Sequence, residues 1–265
     1  MNFAEVVKDE LFEITTTVPV DPKKKVEDPK GKKIKGKGRL FLMDIDDTLI
    51  TADIKIWKVK EKVGDEYIEL KPQKAYTPAQ YADLGVTLED KENDVYDYRE
   101  FRDKAKTLKS IRNGKPIIPN LKQMDNYINN GWDIGILTAR GLEPTISQAM
   151  QSWLMYRNSE SKLKPIKGKL PRKRVFAINS RVKGKPKYEG GTDAAKKLGV
   201  IEKLAQTYKQ INFIDDDLKN LYAVQDAKKK QQDSAKSRED TKKVPLANVH
   251  TIKAKEAIVK NSKDK

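Results

Sequence analysis

The chain has 265 residues, 55 of them Lys or Arg and 39 Asp or Glu, for a formal net charge of +16; hydrophobic residues make up 37% and charged residues 35%. That is enough for one globular core, alone or with a sizeable insertion, but no run approaches the roughly 18–20 apolar residues of a membrane span. Met1–Leu11 lacks the apolar heart of a secretory signal, so the chain reads as soluble and cytoplasmic. There is no Cys and one His, His250, which excludes disulfides, thiolate–zinc sites, iron–sulfur clusters and a Cys nucleophile, and makes a multi-His metal site implausible.

Taken in chain order, Met1–Val20 has a modest apolar pattern that reads as a short helix and an extended piece. Asp21–Arg39 carries nine basic and three acidic residues between Pro and Gly, the composition of a linker. Leu40–Asp46 begins with an apolar run expected to form a buried strand. Ile54–Val63 and Tyr67–Leu70 flank Gly64–Asp65 as a hairpin would, and Tyr76–Leu88 and Tyr96–Ile111 read as mixed or helical.

Pro119–Asn130 has helical spacing and stops at Asn-Asn-Gly. Trp132–Leu137 is a second strand and Pro144–Tyr156 a helix. Arg174–Ile178 is a third strand, Asp193–Tyr208 a helix, Ile211–Ile214 a fourth strand, and Leu218–Val224 the start of a further helix. Beyond Ala227 the chain is rich in Lys, Gln and Ser, with one apolar island at Val244–Ile252. Apolar strands alternating with amphipathic helices predict an α/β, Rossmann-like fold with a largely parallel sheet. The expected division is an extension over 1–39, a core over 40–226 with an insertion near 51–115, and a basic segment over 227–265.

Three of the four strands end in polar residues: Asp44-Ile-Asp46-Asp47-Thr48, Thr138-Ala-Arg140 and Asp215-Asp216-Asp217. In a parallel sheet the carboxyl ends share one edge, where ligands bind. Five or six carboxylates converging there would repel one another, and a divalent cation with oxygen ligands, Mg²⁺ first, is the evident remedy. An Asp behind a strand is also a common cap or turn residue, the reading preferred for Asp217.

The sequence LFLMDIDDTL at Leu40–Leu49 resembles the first motif of the haloacid dehalogenase superfamily, hhhhDxDxT. ILTAR resembles its second motif and FIDDD its fourth, in matching order and spacing over about Leu40–Val224. Among its members the likeness is greatest to small phosphatases, including polynucleotide 3′-phosphatase domains and related proteins of large bacteriophages. The resemblance implies that Asp44 is the nucleophile and Asp46 the general acid and base. Thr138 would bond the phosphoryl oxygens, and Mg²⁺ would be held by Asp44, the backbone carbonyl of Asp46 and Asp216, with Asp215 close by.

The third motif requires a Lys followed at +4 and +7 by apolar residues, which Lys197 satisfies through Ile201 and Leu204 better than Lys196 does. Asp47 stands where many members carry Gly. The segment between the first two motifs is long enough for a cap, and its aromatic residues could line a substrate pocket or form the cap's own small core.

Lys162–Lys187 contains eleven basic residues and no acidic ones, the charge of a nucleic-acid backbone groove or of a solvated loop. With Asp21–Arg39 at +6, this run at +11 and Ala227–Lys265 at +7, the rest of the chain is left at −8. The leading expectation is thus a Mg²⁺-dependent phosphatase acting on a nucleotide or a nucleic-acid terminal phosphate. Alternatives are a non-enzymatic nucleic-acid-binding or virion-associated protein on the same scaffold, and a small-molecule phosphatase. Nucleic acid is the expected partner of the basic run and tails, with no membrane partner, in the cytoplasm, a host cytoplasm or a virion.

Overall fold

Alternation of large apolar side chains along Leu40-Phe41-Leu42-Met43 builds the centre of the molecule: successive side chains of a strand point to opposite faces, and here both faces are buried. The computed structural model describes residues 37–155, 170–237 and 244–255. The expected helix in Met1–Val20 and most of the expected linker lie outside them, as does the start of the basic run at 162–169.

The central strand is β1 (Lys37–Met43), so the chain is already extended at residues assigned to the linker. After β2 (Ile50–Thr51) comes the hairpin of β3 (Ile56–Val63) and β4 (Glu66–Tyr76). Gly64 turns it with φ +61°, a left-handed conformation that Gly adopts without strain. The insertion continues through α1 (Pro78–Ala82), α2 (Leu88–Glu92), β5 (Tyr96–Asp97), α3 (Arg99–Arg102), α4 (Lys104–Arg112) and β6 (Lys115–Pro116). Then follow α5 (Ile118–Asn129), β7 (Asp133–Thr138), α6 (Glu143–Met155), β8 (Val175–Ala177) and a small hairpin of β9 (Arg181–Val182) and β10 (Lys185–Pro186). Last come α7 (Asp193–Ala205), β11 (Tyr208–Asp215), α8 (Leu218–Ser237) and β12 (Val249–Lys253).

Five strands form one sheet in the order β12-β11-β1-β7-β8, parallel throughout. Leu40, Leu42 and Phe213 pack on one face with Val200 and Ile201 of α7 and Leu221 and Val224 of α8. Phe41, Met43 and Ile136 pack on the other with Leu121 and Met124 of α5 and Ile146 and Met150 of α6. Each such buried side chain contributes about 1.5–3 kcal/mol. The result is the helix-flanked parallel sheet of Rossmann-like folds.

Two assignments change. The C-terminal segment is no mere extension: α8 runs through the expected boundary at 226, and the apolar island supplies the edge strand β12, level with β11 from Ile211–Val249 to Asp215–Lys253. Tyr208, expected to end a helix, begins β11 instead, because the face of α7 is complete at Ala205.

The insertion has its own antiparallel sheet, β4-β3-β5. Tyr76, Tyr81, Tyr96 and Tyr98 meet there edge-on, and the hydroxyls of Tyr81 and Tyr98 share a hydrogen bond. These residues are half-buried and pack on one another. Among the described residues, no helix is long and apolar enough to cross a membrane.

Candidate active site

β1 delivers Asp44 to the carboxyl edge of the sheet. Its backbone N–H still donates to the Ile214 carbonyl at 3.1 Å, so the strand ladder fixes the residue although the strand has formally ended. The chain then closes a tight loop: the Ile45 carbonyl accepts from the N–H groups of Leu49 at 2.9 Å and Ile50 at 3.0 Å. The loop places Asp47 at φ +52°, a region that Gly, Asn and Asp enter most easily. An Asp therefore serves at this position at little conformational cost.

The Asp44 carboxylate is buried and doubly held. Oδ1 accepts from the Ile45 N–H at 2.7 Å and Oδ2 from Lys197 Nζ at 2.9 Å. Lys197 is 1% exposed, and its Nζ also donates to Asp215 Oδ2 at 2.7 Å. Thr192 starts the helix that carries it, its hydroxyl accepting from the Ala195 N–H at 3.1 Å. Lys196 turns away to Asn179 Oδ1, so Lys197 is the lysine of the edge.

Asp215 ends β11 with both oxygens occupied, accepting from the Asp217 N–H at 3.0 Å and from Asn220 Nδ2 at 3.1 Å. Asp216 accepts from the Thr48 hydroxyl at 2.9 Å and has no Lys or Arg within ion-pair distance among the described residues. Asp217 caps α8, its Oδ1 accepting from the Lys219 N–H at 2.9 Å. Thr138 is fully buried at the end of β7, one strand over from Asp44.

Asp46 has a different environment. Arg140 grips it through two charge-assisted bonds, Nε to Oδ2 at 2.8 Å and Nη2 to Oδ1 at 2.7 Å. Arg140 is itself 1% exposed, lies over the Phe101 ring, and donates through Nη1 to the Ser110 hydroxyl of α4 at 2.8 Å. The insertion therefore contributes to this edge. It does so again at Asp47, which burial and the Asp46 charge push up to about 6 while the Ala79 backbone of α1 favours the ionised form.

Burial governs the protonation of the cluster. It pushes Asp44 up to about 7, against the attraction of Lys197 and with the help of Asp215 and Asp46. Asp216 is pushed up to about 8 by burial and by repulsion from Asp44 and Asp215. Burial works against the charge on Lys197 too, but Asp215 and Asp44 outweigh it and hold the ammonium above the usual lysine range.

No family model, curated protein or solved structure matches this chain.

Asp44, Asp215 and Asp216 offer carboxylate oxygens within 4.8 Å of one another. Fully ionised, the three carry −3 against the single charge of Lys197. A hard divalent cation with oxygen ligands fits both the donor set and the deficit. The Asp46 carboxylate lies outside this cluster, engaged by Arg140, so any part it takes in holding a cation falls to its backbone carbonyl.

Strand ends bring Asp44, Asp46, Thr138, Asp215 and Asp216 to one sheet edge, and the helix α7, read from its apolar spacing, brings Lys197. Neither pattern discloses the partners: Arg140 on Asp46, Thr48 on Asp216, Asn220 on Asp215, Ser110 on Arg140. Arg140 had a signal, being a lone cation at a strand end that faces several carboxylates. Asn220 and Ser110 had none, because their roles depend on how separate helices pack.

Proposed function

We propose that this chain is a phosphomonoester hydrolase of the haloacid dehalogenase type that uses Mg²⁺ and forms an aspartyl-phosphate. The observation that carries the reading is the Asp44–Lys197–Asp215 bridge beside Asp216. A buried, oriented carboxylate stands at a strand end, next to a cation-binding set and a buried ammonium. Such a cluster is costly to bury and has no evident use as scaffold alone.

In this reading an Asp44 oxygen attacks phosphorus as the bond to the leaving alkoxide oxygen breaks, and Asp46 gives that oxygen a proton. Asp46 then takes a proton from water, whose oxygen attacks phosphorus as the bond from phosphorus to the Asp44 oxygen breaks, releasing inorganic phosphate and regenerating Asp44. A proton can pass only through an Asp46 oxygen that has exchanged its Arg140 bond for the reacting oxygen, so Arg140 sets the orientation of the acid. Thr138 and Lys197 bond the equatorial phosphoryl oxygens. Mg²⁺, when held by Asp44, Asp215 and Asp216, supplies further positive charge against the phosphoryl group. The insertion acts as a cap, a role supported by its contacts to Arg140 and Asp47. The proposed substrate is a nucleotide or a nucleic-acid terminal phosphate.

The test is hydrolysis of p-nitrophenyl phosphate, a nucleotide panel and 3′- or 5′-phosphorylated oligonucleotides with Mg²⁺. Turnover is expected to fall at least about 10³-fold in Asp44→Asn. Wild-type protein inert on every substrate would refute the reading and favour a nucleic-acid-binding protein on the same scaffold.

A further inference from the structure

The hairpin of β9 and β10 carries Arg181, Lys183, Lys185 and Lys187 in seven residues with no acidic one. Arg181, Lys183 and Lys185 are exposed, and among the described residues none of the three has an ion-pair partner. Four other basic residues near the catalytic edge are engaged. Lys197 and Arg140 hold its carboxylates, Lys196 bonds Asn179, and Lys187 at the root of the hairpin bonds Glu143.

The hairpin is also firmly mounted. Its root closes where the Lys187 N–H donates to the Ser180 carbonyl at 2.9 Å. The residues just before it are laced to the loop behind Thr138. The Ile178 N–H donates to the Thr138 carbonyl at 2.9 Å, Asn179 Nδ2 to the Ala139 carbonyl at 2.6 Å, and the Glu143 N–H to the Ser180 hydroxyl at 3.0 Å. Gly141 permits the approach, since a Cβ there would stand 3.2 Å from the Asn179 carbonyl oxygen. Lys183 and Gly184 form the tip with φ +50° and +79°, the left-handed pair of a tight two-residue turn.

We propose that this hairpin is an arm that binds the non-reacting phosphates of a single-stranded nucleic acid whose terminal phosphate enters the catalytic edge. The inference rests on the phosphatase reading and deepens it by naming the substrate class. Three exposed cations on a short, rigid arm suit a ligand with regularly repeated charge, about one per 3.4 Å of strand. A mononucleotide has too few phosphates to occupy the edge and the arm together.

The test uses a 3′-phosphorylated single-stranded DNA oligonucleotide, with binding followed by fluorescence anisotropy across salt concentrations in buffer lacking divalent cations. In the triple variant Arg181→Ser/Lys183→Ser/Lys185→Ser, Kd is expected to rise about tenfold or more at about 0.1 M salt. The slope of log affinity against log salt should fall by about 2, at roughly 0.7 per lost phosphate contact. With Mg²⁺, selectivity for the oligonucleotide over p-nitrophenyl phosphate falls in parallel. The charge-preserving variant Arg181→Lys/Lys183→Arg/Lys185→Arg should keep the wild-type slope and affinity.

An unchanged slope in the triple Ser variant would overturn the proposal. So would a charge-preserving variant as weak as the Ser one, or wild-type protein that hydrolyses p-nitrophenyl phosphate yet does not bind the oligonucleotide. Hairpin-dependent binding with no turnover on any substrate would instead sink the phosphatase reading and leave the arm's ligand class standing.

Discussion

The carboxylate edge and the β9–β10 hairpin lie at the same end of the sheet and handle charge in opposite ways. At the edge, Asp44, Asp215, Lys197 and Arg140 are buried, and each has named partners at 2.7–3.1 Å. On the hairpin, Arg181, Lys183 and Lys185 point charge into solvent without a partner among the described residues. Burying an ion costs several kcal/mol unless bonds replace its water, so the edge must be internally paired and thereby held in one geometry. An exposed cation carries no such obligation and stays available to a ligand. A net charge of +16 conceals this division, because the sum merges an acidic body at −8 with basic segments at +24.

The sharpest way to break the comparison is to remove one cation from each region. Lys197→Ala leaves Asp44 and Asp215 buried without their shared ammonium, and a loss of about 3–5 kcal/mol in unfolding free energy is expected, together with loss of turnover. Arg181→Ala should change stability by less than about 0.5 kcal/mol. Urea denaturation of both variants in EDTA measures the pair. Equal effects would show that the Lys197 bridge contributes no more than a surface charge.

A second, smaller effect follows from protonation. Asp44 and Asp216 titrate near 7 and 8 in the folded protein but near 3.8 when unfolded, so the folded state binds protons more tightly. Their contribution to stability is greatest below about pH 4 and is lost as pH rises through about 7 and then 8. In EDTA the melting temperature should therefore fall by several degrees between about pH 6 and pH 8.5. Mg²⁺ binds the ionised carboxylates and so should shrink that fall, with its stabilising effect growing as pH rises. Thermal scans with and without Mg²⁺ check both signs.

Much of the sheet was legible in advance because its signals are local. An unbroken apolar run such as Leu40–Met43 has few other fates than a strand buried on both faces, and the polar residue that ends it must lie on the ligand edge. The division at 226 failed for a physical reason. Val244–Ile252 is short, follows a Lys- and Gln-rich stretch, and acquires meaning only when it pairs with β11. The cluster of Asp44, Asp215, Asp216 and Lys197 could be anticipated because strand ends and helix spacing bring it together. The grip of Arg140 on Asp46, and of Ser110 on Arg140, required the packing of α4 against the core.

That last link gives the finest test, because it asks whether the insertion helps to shape the edge or merely lies beside it. Ser110 donates to the Thr107 carbonyl at 3.0 Å and accepts from Arg140 Nη1, so its hydroxyl ties the guanidinium to α4. Ser110→Ala removes one bond to a buried charged donor and should cost about 1–2 kcal/mol of stability. Both bonds from Arg140 to Asp46 remain possible, but the guanidinium loses its third anchor. If Arg140 orients Asp46, kcat for p-nitrophenyl phosphate falls several-fold while KM stays nearly constant, and Ser110→Thr, which restores a hydroxyl, recovers most of it. A loss of stability with kcat unchanged would reduce Ser110 to a packing residue and leave the insertion's influence on the edge to the Ala79 backbone beside Asp47.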